Sequence, residues 1–439
     1  MVFEIDCQVD TNITYDYDSI DSIPSVDASD LTYASFFSNY MLPNIPCIIK
    51  GITDNWQCSS LWIKDEAVNF DYLSEQYGSD LVHVYKCRER FYNTQKCYTG
   101  SFKDYLNTFQ ENTSRASILT INEYVKNWHL SLQHPEDKFY EVPLYFASDW
   151  LNEFCVNNLE DDYRFVYMGP SGTWTPFHHD VFSSYSWSAN IIGTKKWIMV
   201  PPGSEENAKD SLGNLMYDIQ SIASSEDASQ NLKVIEVFQN AGEAIFVPSG
   251  WHHQVHNFGY TISVNHNWVN GCNVHFMYDL LLKTLEDVKV EISDCNDMEG
   301  FEDHCQLMLN SLFGMDFKTF YQFLMYIALK RIEMQNNACS KQLFHGHEIG
   351  SNHILFDLKA VKGVLEKFVK CDEITEISAF ETINVTPKDL LDDVVHNLEI
   401  NGFTEYKFYF YFFPIKFPSF IYKSSIIVGD ALVGEEKVL

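Results

Sequence analysis

The alternation of apolar and polar residues is strongest in the middle of the chain, between about residues 161 and 270. A period of two is typical of strands that bury one face, and turn residues such as 240–243 and 248–250 separate the alternating runs. Residues 193–194 and 257–259 are predicted to separate further strands. Many short strands with evenly spaced turns favour a sandwich or barrel, so this segment is predicted to be a β-rich core.

Outside this core the apolar residues recur mostly at helical spacing. Downstream, helices are predicted over residues 276–292, 317–335, 356–369 and 385–401. Upstream, the pattern predicts helices over 61–77, 102–110 and 145–154, a short buried strand within 44–56 and a strand over 81–86. The predicted class is therefore mainly β with flanking helices, an α+β protein with a helical C-terminal region.

The charge balance restricts the partners of the chain. It has 61 acidic and 30 basic residues and a formal net charge of −31. This argues against a nucleic-acid-binding face, which needs clustered Lys and Arg, and against docking on anionic membrane. An acidic surface attracts basic partners, so a Lys- and Arg-rich protein substrate is one interpretation, and a purely solubilising charge is the other.

The cysteines and the N-terminus predict a compartment. The eleven cysteines are scattered and form no CxxC pair, which favours free thiols in a reducing environment over a zinc ribbon. No secretory signal and no apolar run of membrane-spanning length is recognisable. The cytoplasm is the predicted location, and the nucleus is left open, although no basic cluster indicates active import.

His178 and Asp180 are the strongest chemical signal in the core. Residues two apart on a strand point to the same side, so both side chains can approach one point. A second histidine from a distant strand, His252 or His253, would complete a set of two histidines and one carboxylate. This set leaves coordination positions open and suits non-haem Fe(II) used for O₂ chemistry.

Lys195 is a candidate for holding an organic cosubstrate. An Fe(II) oxygenase needs a donor of two electrons, and a dicarboxylic 2-oxo acid would chelate the metal at one end. Its far carboxylate needs a buried cation and hydroxyl donors, for which Lys195 and Thr175 are suitable. The alternative for Lys195 is an ordinary solvated strand lysine, and the residue by itself leaves both interpretations open.

Three strings in the core carry a resemblance to a known family. Residues 175–180 read T-P-x-H-x-D, residues 193–197 read G-x-K-x-W, and residues 248–253 read P-x-G-W-x-H. In these strings the chain resembles the JmjC-domain family of Fe(II)- and 2-oxoglutarate-dependent oxygenases. The resemblance covers about residues 140–270 and implies a double-stranded β-helix, a cupin-like jelly-roll.

The resemblance also implies the roles of individual residues. His178, Asp180 and His253 would bind iron, and Lys195 would hold the distal carboxylate of 2-oxoglutarate. His179 takes the variable middle position of its string, and the family spacing after the Pro favours His253 over His252. Further cosubstrate contacts are expected from three polar side chains: Thr175, Asn265 and Tyr185. Ordinary strand hydrogen bonding for Asn265 and a core position for Tyr185 are the alternatives.

The resemblance is closest to a branch of small protein hydroxylases. It implies Fe(II), 2-oxoglutarate and O₂ as cofactor and cosubstrates, and C4 hydroxylation of a lysine in the eukaryotic peptide-chain release factor, which aids translation termination. Demethylation of histone N-methyl-lysine by the same fold is the leading alternative, and a non-catalytic metal-binding interaction protein is another. A zinc hydrolase or a cupin isomerase is less favoured, because neither needs a buried lysine at position 195.

Five segments are predicted along the chain. They are a polar acidic arm (1–30), a mixed α/β region supporting the core (31–139), the JmjC catalytic domain (140–272), a helical C-terminal region (273–404) and an aromatic-rich tail (405–439). The helical region is expected to pack on the core or to form a homodimer. For the tail, packing on the core, contact with a partner and an error in the gene model stay open.

Overall fold

The computed structural model describes residues 2–6, 13–92, 94–114, 122–210, 213–220, 232–337, 339–371 and 377–402. The predicted aromatic tail, 405–439, lies outside the described residues. Eleven α-helices have defined bounds: α1 (Tyr33–Phe36), α2 (Gln57–Leu61), α3 (Phe70–Tyr77), α4 (Phe102–Ser114), α5 (Leu130–Gln133), α6 (Trp150–Asn158), α7 (Val274–Glu291), α8 (Phe301–Phe313), α9 (Phe317–Gln335), α10 (Ser351–Phe368) and α11 (Pro387–Gly402).

The described strands number fifteen. They are β1 (Val2–Phe3), β2 (Ser25–Asp27), β3 (Cys47–Lys50), β4 (Ile63–Lys64), β5 (Ala67–Val68), β6 (Leu81–Phe91), β7 (Thr94–Ser101), β8 (Glu123–Trp128), β9 (Arg164–Gly169), β10 (Trp174–His178), β11 (Tyr185–Val200), β12 (Ile235–Gln239), β13 (Glu243–Val247), β14 (His252–Trp268) and β15 (Glu348–Ile349).

The chain divides into two compact units. Among the described residues, one unit contains those of 13–147 and 161–268, and the other contains 2–6, 148–160 and those of 269–402. This division differs from the predicted segments, because the region upstream of residue 140 joins the same unit as the predicted catalytic core. Residues 148–160, predicted within that core, belong instead with the C-terminal helices, where Phe154 of α6 packs edge-on against Phe323 of α9.

The first unit is built on one large mixed sheet. Its strands run in the order β2-β3-β13-β11-β14-β9-β8-β6-β7, while β10 pairs with β14 and β12 with β11. Most neighbours are antiparallel, and β2 runs parallel to β3. This sheet and its flanking helices confirm the predicted jelly-roll core with helices around it.

Strands β11 and β14 correct the predicted turns at 193–194 and 257–259. Each stretch is one long strand, and the two pair along nearly their whole length, with register irregularities on either side of Ile192. Gly193 has a φ of 81°, and an added Cβ would clash with the carbonyl oxygen of Tyr260. Glycine therefore bends the strand without ending it, as a bulge does.

Alternate residues of β11 enter two different apolar clusters. Trp197 and Met199 pack with Val255 and residues of β13 in one cluster. Ile198 and Val200 pack with Phe177 of β10 in the other. We call these the His253 face and the His252 face, because Met199 is paired with His253 and Val200 with His252. The consecutive histidines of β14 therefore point to different faces, His253 to one and His252 to the other.

The second unit is mostly helical, as predicted, with the unpredicted helix α8 added. Its helices enclose an ion pair between Arg331 and Asp357, both fully buried, at 2.7 Å. Residues 2–6 are held there: β1 pairs with β15, and the Glu4 carboxylate accepts hydrogen bonds from the first backbone N–H groups of α10, at Asn352 and His353. None of the described helices is long and apolar enough to cross a membrane.

Candidate metal and cosubstrate site

Three side chains from neighbouring elements form a compact group of metal-ligand type. His178 ends β10, Asp180 lies two residues further along the chain, and His253 is the second residue of β14. The strand pairing places His178 opposite His253, and their ring centroids are 4.4 Å apart. One ligand atom from each of the three residues lies within 4.8 Å of the others. This spacing allows all three to bind one metal ion.

Backbone carbonyls orient both imidazole rings. Nδ1 of His178 bonds to the carbonyl of Pro176 at 2.8 Å, and Nδ1 of His253 bonds to that of Trp251 at 3.0 Å. A carbonyl accepts only, so Nδ1 carries a proton in each ring, and in the neutral form of the ring Nε2 keeps its lone pair. Such contacts at the second nitrogen fix the tautomer and direction of a ligand histidine.

The charges of the group suit a cation. Burial, together with repulsion from His253, lowers the pKa of His178 to about 3, so His178 is neutral at neutral pH. Burial alone would raise the pKa of Asp180, but His253, His178 and hydrogen bonds from Ser186 and Asn267 hold it below its usual range. Neutral imidazole and ionised carboxylate are the forms that bind metal.

Lys195 lies on β11 and is buried, with only 2% of its surface exposed. Its Nζ donates to the hydroxyl of Ser263 at 2.6 Å and lies 3.4 Å from that of Ser188. Burial lowers its pKa to about 7. No carboxylate forms a salt bridge with Lys195 within the described part of the chain. The alternative of a solvated strand lysine is therefore wrong.

A row of small polar residues joins Asp180 to Lys195. Along β11 and β14 the facing pairs are Ser186 with Asn267, Ser188 with Asn265, and Asn190 with Ser263. At one end the Ser186 hydroxyl donates to Asp180 at 2.6 Å, and at the other end Ser263 accepts from Lys195. Two buried strands rarely carry six polar side chains on one side, so this row marks a polar pocket.

The structure brings Thr175 and Asn265 to this pocket. A bulge between Thr175 and His178 places Thr175 opposite Val255, on the same face as His253. Asn265 donates to the carbonyl and hydroxyl of Ser263, both at 3.1 Å. Thr175 therefore borders the pocket beside the metal group, and Asn265 touches a residue that contacts Lys195.

The prediction for Tyr185 is corrected. Its side chain is fully buried, its ring packs against Phe246 and Trp268, and its hydroxyl donates to the backbone carbonyl of Met41 at 2.7 Å. Tyr185 and Ser186 are neighbours on one strand, so they point to opposite sides, and Ser186 takes the side of Asp180. Tyr185 belongs to the aromatic core.

His252 and His179 do not join the metal group. The His252 ring packs against Phe177 and His179, at centroid distances of 5.5 and 5.0 Å. Burial lowers the pKa of His252 to about 3. Consecutive strand residues point to opposite sides, so the pairing that directs His253 to His178 directs His252 away from it. The structure therefore groups His253, and not His252, with His178 and Asp180.

Sequence reasoning missed part of the polar row. Ser186, Ser188 and Asn190 were not predicted as site residues, although they recur with a period of two inside an otherwise apolar strand. That inverted alternation, polar where a core residue is expected, was the available signal. Gln95, which contacts β10, and Lys126, which contacts Gln95, carried no such signal.

The residues present fit the cofactors of an iron oxygenase. Two imidazoles and a carboxylate provide three ligands and leave coordination positions open. The buried, hydroxyl-bonded ammonium of Lys195, without an ion-pair partner in the described residues, fits the far carboxylate of 2-oxoglutarate. A hydrolytic zinc site would leave this lysine without a role.

Comparison with known proteins agrees with this chemistry. Residues 33–273 match the family model of the cupin-like domain. The chain is 40% identical to the "2-oxoglutarate and iron-dependent oxygenase JMJD4" of Danio rerio and 37% identical to that of Homo sapiens, over 83% of this chain in both cases and 90% and 88% of the relatives. It is 32% identical to the "Arginine-specific demethylase JMJ20" of Arabidopsis thaliana, over 84% of each chain.

The family-model match covers the whole polar row and the metal group, and the names of the Danio rerio and Homo sapiens relatives state the cofactors that the residues fit. The chain belongs to the cupin-like JmjC family and is a 2-oxoglutarate- and iron-dependent oxygenase.

Proposed function

We propose that this oxygenase is a protein lysyl hydroxylase that acts at C4 of a lysine in the eukaryotic peptide-chain release factor and so promotes translation termination. The observation that carries the reaction class is the row from Asp180 to Lys195. It joins a three-ligand metal group to a buried cation, which is the arrangement that a metal-chelating dicarboxylic acid requires. The named substrate rests on the resemblance to the small hydroxylase branch of the family.

Each residue has a distinct role in this proposal. His178, Asp180 and His253 hold the metal, while Ser186 and Asn267 keep Asp180 ionised and in place. Lys195, steadied by Ser263, binds the distal carboxylate of 2-oxoglutarate. When bound, Fe(II) and 2-oxoglutarate supply the oxidant that inserts one oxygen atom of O₂ into a C–H bond, with succinate and CO₂ formed. The protein provides orientation and excludes water.

The charge of the chain supports a basic protein substrate. A formal charge of −31 attracts Lys- and Arg-rich surfaces and speeds their encounter. A cavity of about 450 Å³ opens beside β10 and is lined by Asp210, Asp218, Tyr217 and Arg90, among others. Tyr217 packs edge-on against Trp174, and its carbonyl accepts from the N–H of Phe177, one residue before His178. Acidic groups therefore lie beside β10, the strand that ends in His178.

Mass spectrometry of the release factor tests the proposal. The purified factor is incubated with this protein, Fe(II), 2-oxoglutarate and O₂, and the Asp180→Ala variant is the control. One added oxygen atom on a lysine side chain, absent in the control, is the expected result. Succinate formation without modification of the factor would reject this substrate and keep the oxygenase.

Demethylation of a methylated basic side chain is the second candidate, because the Arabidopsis thaliana relative is named an arginine-specific demethylase. The same incubation separates the two. Demethylation of histone or arginine-methylated peptides releases formaldehyde and removes a methyl mass, whereas lysyl hydroxylation adds oxygen and releases none. The cytoplasmic location and a homodimer through the C-terminal helices stay predictions.

A further inference from the structure

Strand β10 carries two residues of the site but has only one strand neighbour among the described elements. Thr175 and His178 face β14, while the backbone carbonyl of Trp174 and the N–H of Phe177 point to the free edge. An edge strand is easily displaced, since nothing in the sheet fixes its second side. The position of His178 therefore depends on what holds that edge.

Contacts from outside the β10–β14 pair take the place of the missing strand. The Gln95 amide of β7 donates from Nε2 to the Trp174 carbonyl at 2.9 Å, and the indole of Trp174 donates to the Cys87 carbonyl of β6 at 3.2 Å. Further along, Phe177 donates to the Tyr217 carbonyl at 3.1 Å. Hydrogen bonds thus hold the edge at Trp174 and at Phe177, one on each side of Thr175 and Pro176.

Lys126 of β8 decides which way the Gln95 amide faces. Its Nζ donates to Oε1 of Gln95 at 3.1 Å and lies 4.3 Å from the centre of the Tyr85 ring. An ammonium group has donors only, so it binds the oxygen of the amide and turns the NH₂ group toward Trp174. Lys126 and Gln95 are 5% and 3% exposed, so water does not compete for these bonds.

A bulge in β8 directs Lys126 into this position. Val125 pairs with Met168 and Trp128 with Val166, which leaves one extra residue on β8, and Asn127 adopts a φ of 55°. Bulges commonly re-aim side chains beside active sites. Burying an ammonium and holding a non-glycine residue at positive φ both cost free energy, which indicates that the arrangement serves the site.

The same bulge reaches the cosubstrate end of the pocket. Asn127 accepts from the hydroxyl of Tyr167 at 2.8 Å, and the Tyr167 ring lies 5.9 Å from Nζ of Lys195. Lys126 and Asn127 therefore contact the two ends of the site, one through Gln95 and β10, the other through Tyr167.

We infer that Lys126 and Gln95 are a positioning pair, in which Lys126 orients the Gln95 amide and that amide fixes the free edge of β10, and with it His178 and Thr175. Neither residue is placed against the metal or the substrate. The inference concerns metal and cosubstrate binding, so it does not depend on which protein is hydroxylated.

The Gln95→Glu variant separates positioning from folding. Glutamate has the same shape and still accepts from Lys126, so the buried partner of Lys126 is kept. It cannot donate to the Trp174 carbonyl when ionised. We expect an unchanged circular dichroism spectrum and thermal midpoint. Mn²⁺ affinity should fall about tenfold and the KM for 2-oxoglutarate should rise about tenfold, which is the lower end of the effect seen when a residue that orients a metal ligand is replaced. Unchanged Mn²⁺ affinity in this folded variant would overturn the inference.

A double-mutant cycle tests whether Lys126 acts through Gln95. Mn²⁺ binding by the full-length protein is measured for Lys126→Met, Gln95→Leu and the double variant, with uncoupled 2-oxoglutarate turnover as a second readout. The expected loss in the double variant is no larger than that of Gln95→Leu, because each change breaks the same chain of contacts. Additive losses would contradict the pairing.

Lys86→Met is the matched control for the lysine change. Lys86 follows Tyr85 on β6, but its side chain is 36% exposed and pairs with Glu89 at 3.2 Å. Its substitution is expected to leave Mn²⁺ affinity and uncoupled turnover unchanged. If Lys126→Met fails to fold, the Gln95→Glu result alone decides.

Discussion

Two histidine pairs occupy the same two strand segments, and only one of them can bind a metal. On the His253 face, His178 and His253 lie beside Asp180 and the row of serine and asparagine side chains. On the His252 face, His179 and His252 lie beside Phe177 and an aliphatic cluster. The residue types are identical, and both pairs touch. The two pairs differ in their surroundings: only His178 and His253 lie beside a carboxylate, and hydroxyl groups keep that carboxylate ionised.

The comparison teaches that a metal site in a sheet is a property of one face. Neighbouring residues of a strand meet unrelated surroundings, so a slip of one position would exchange the metal group for core residues. Two adjacent residues of one strand, one on each face, therefore form a matched pair of test positions.

The largest effect is expected for Asp180→Ala. It removes the carboxylate of the group and leaves two buried imidazoles without a charge partner. Metal affinity and turnover should fall by more than roughly 100-fold, which is the upper end of the loss when a residue that only orients a metal ligand is replaced. Calorimetric titration with Mn²⁺ and succinate release measure the two losses, and a folded variant with full activity would refute the site.

Lys195 and Lys196 are the next pair, adjacent on β11 and directed to opposite sides. Lys196 pairs with Glu236 at 2.8 Å on the other side. Lys195→Met should raise the KM for 2-oxoglutarate roughly 10- to 150-fold. This range corresponds to the loss of a hydrogen bond to a charged group, which contributes about 1.5–3 kcal/mol.

The expected effect of Lys196→Met on that KM is less than about twofold, because a surface ion pair contributes little. Mn²⁺ affinity should change far less than the KM in Lys195→Met. Equal loss of metal and cosubstrate binding would count against its role.

The lowered pKa of Lys195 predicts a pH dependence of cosubstrate binding. Without a ligand, Lys195 loses its proton as the pH rises through about 7, far below the usual range for lysine. A carboxylate binds the protonated form, so affinity for 2-oxoglutarate should fall above that pH, by up to about tenfold per pH unit.

Titration of the Mn²⁺-saturated protein with 2-oxoglutarate from about pH 6 to about pH 9 measures this slope. Lys196→Met should keep it and Lys195→Met should lose it. A flat profile for the unmodified protein would show that Lys195 stays charged throughout.

The smallest effects are expected at Tyr185 and Ser186. Ser186→Ala removes a hydrogen bond to Asp180 and should weaken Mn²⁺ binding about tenfold. Tyr185→Phe removes only the bond to the Met41 carbonyl and should lower the free energy of unfolding by about 1 kcal/mol, with an unchanged KM for 2-oxoglutarate. Denaturant unfolding and steady-state kinetics measure both. A raised KM in Tyr185→Phe would restore it to the cosubstrate site.

Local period explains which parts of the site could be predicted from sequence. His178 and Asp180 are two residues apart, and Lys195 follows in a recognisable string. All three can therefore be recognised as candidates from the sequence alone. His253 needed the family spacing, because period alone cannot distinguish two adjacent histidines. The prediction of a cosubstrate contact for Tyr185 was wrong, because the direction of its side chain is set by the pairing of β11 with β13 and β14.

The fold was predicted to the level of class and most elements. The turns expected at 193–194 and 257–259 are bends within continuous strands, since glycine permits a bulge as readily as a turn. The positions of Gln95 and Lys126 follow from a bulge and from the order of distant strands, which no local pattern records.

Metal binding by two single variants of β14 tests the central claim most directly. His253→Ala and His252→Ala change adjacent residues of one strand, and calorimetric titration with Mn²⁺ compares each with the unmodified protein. We predict that His253→Ala abolishes measurable binding while His252→Ala keeps it within about threefold, because only the His253 face carries ligands. Loss of binding in His252→Ala, with His253→Ala unaffected, would contradict the account.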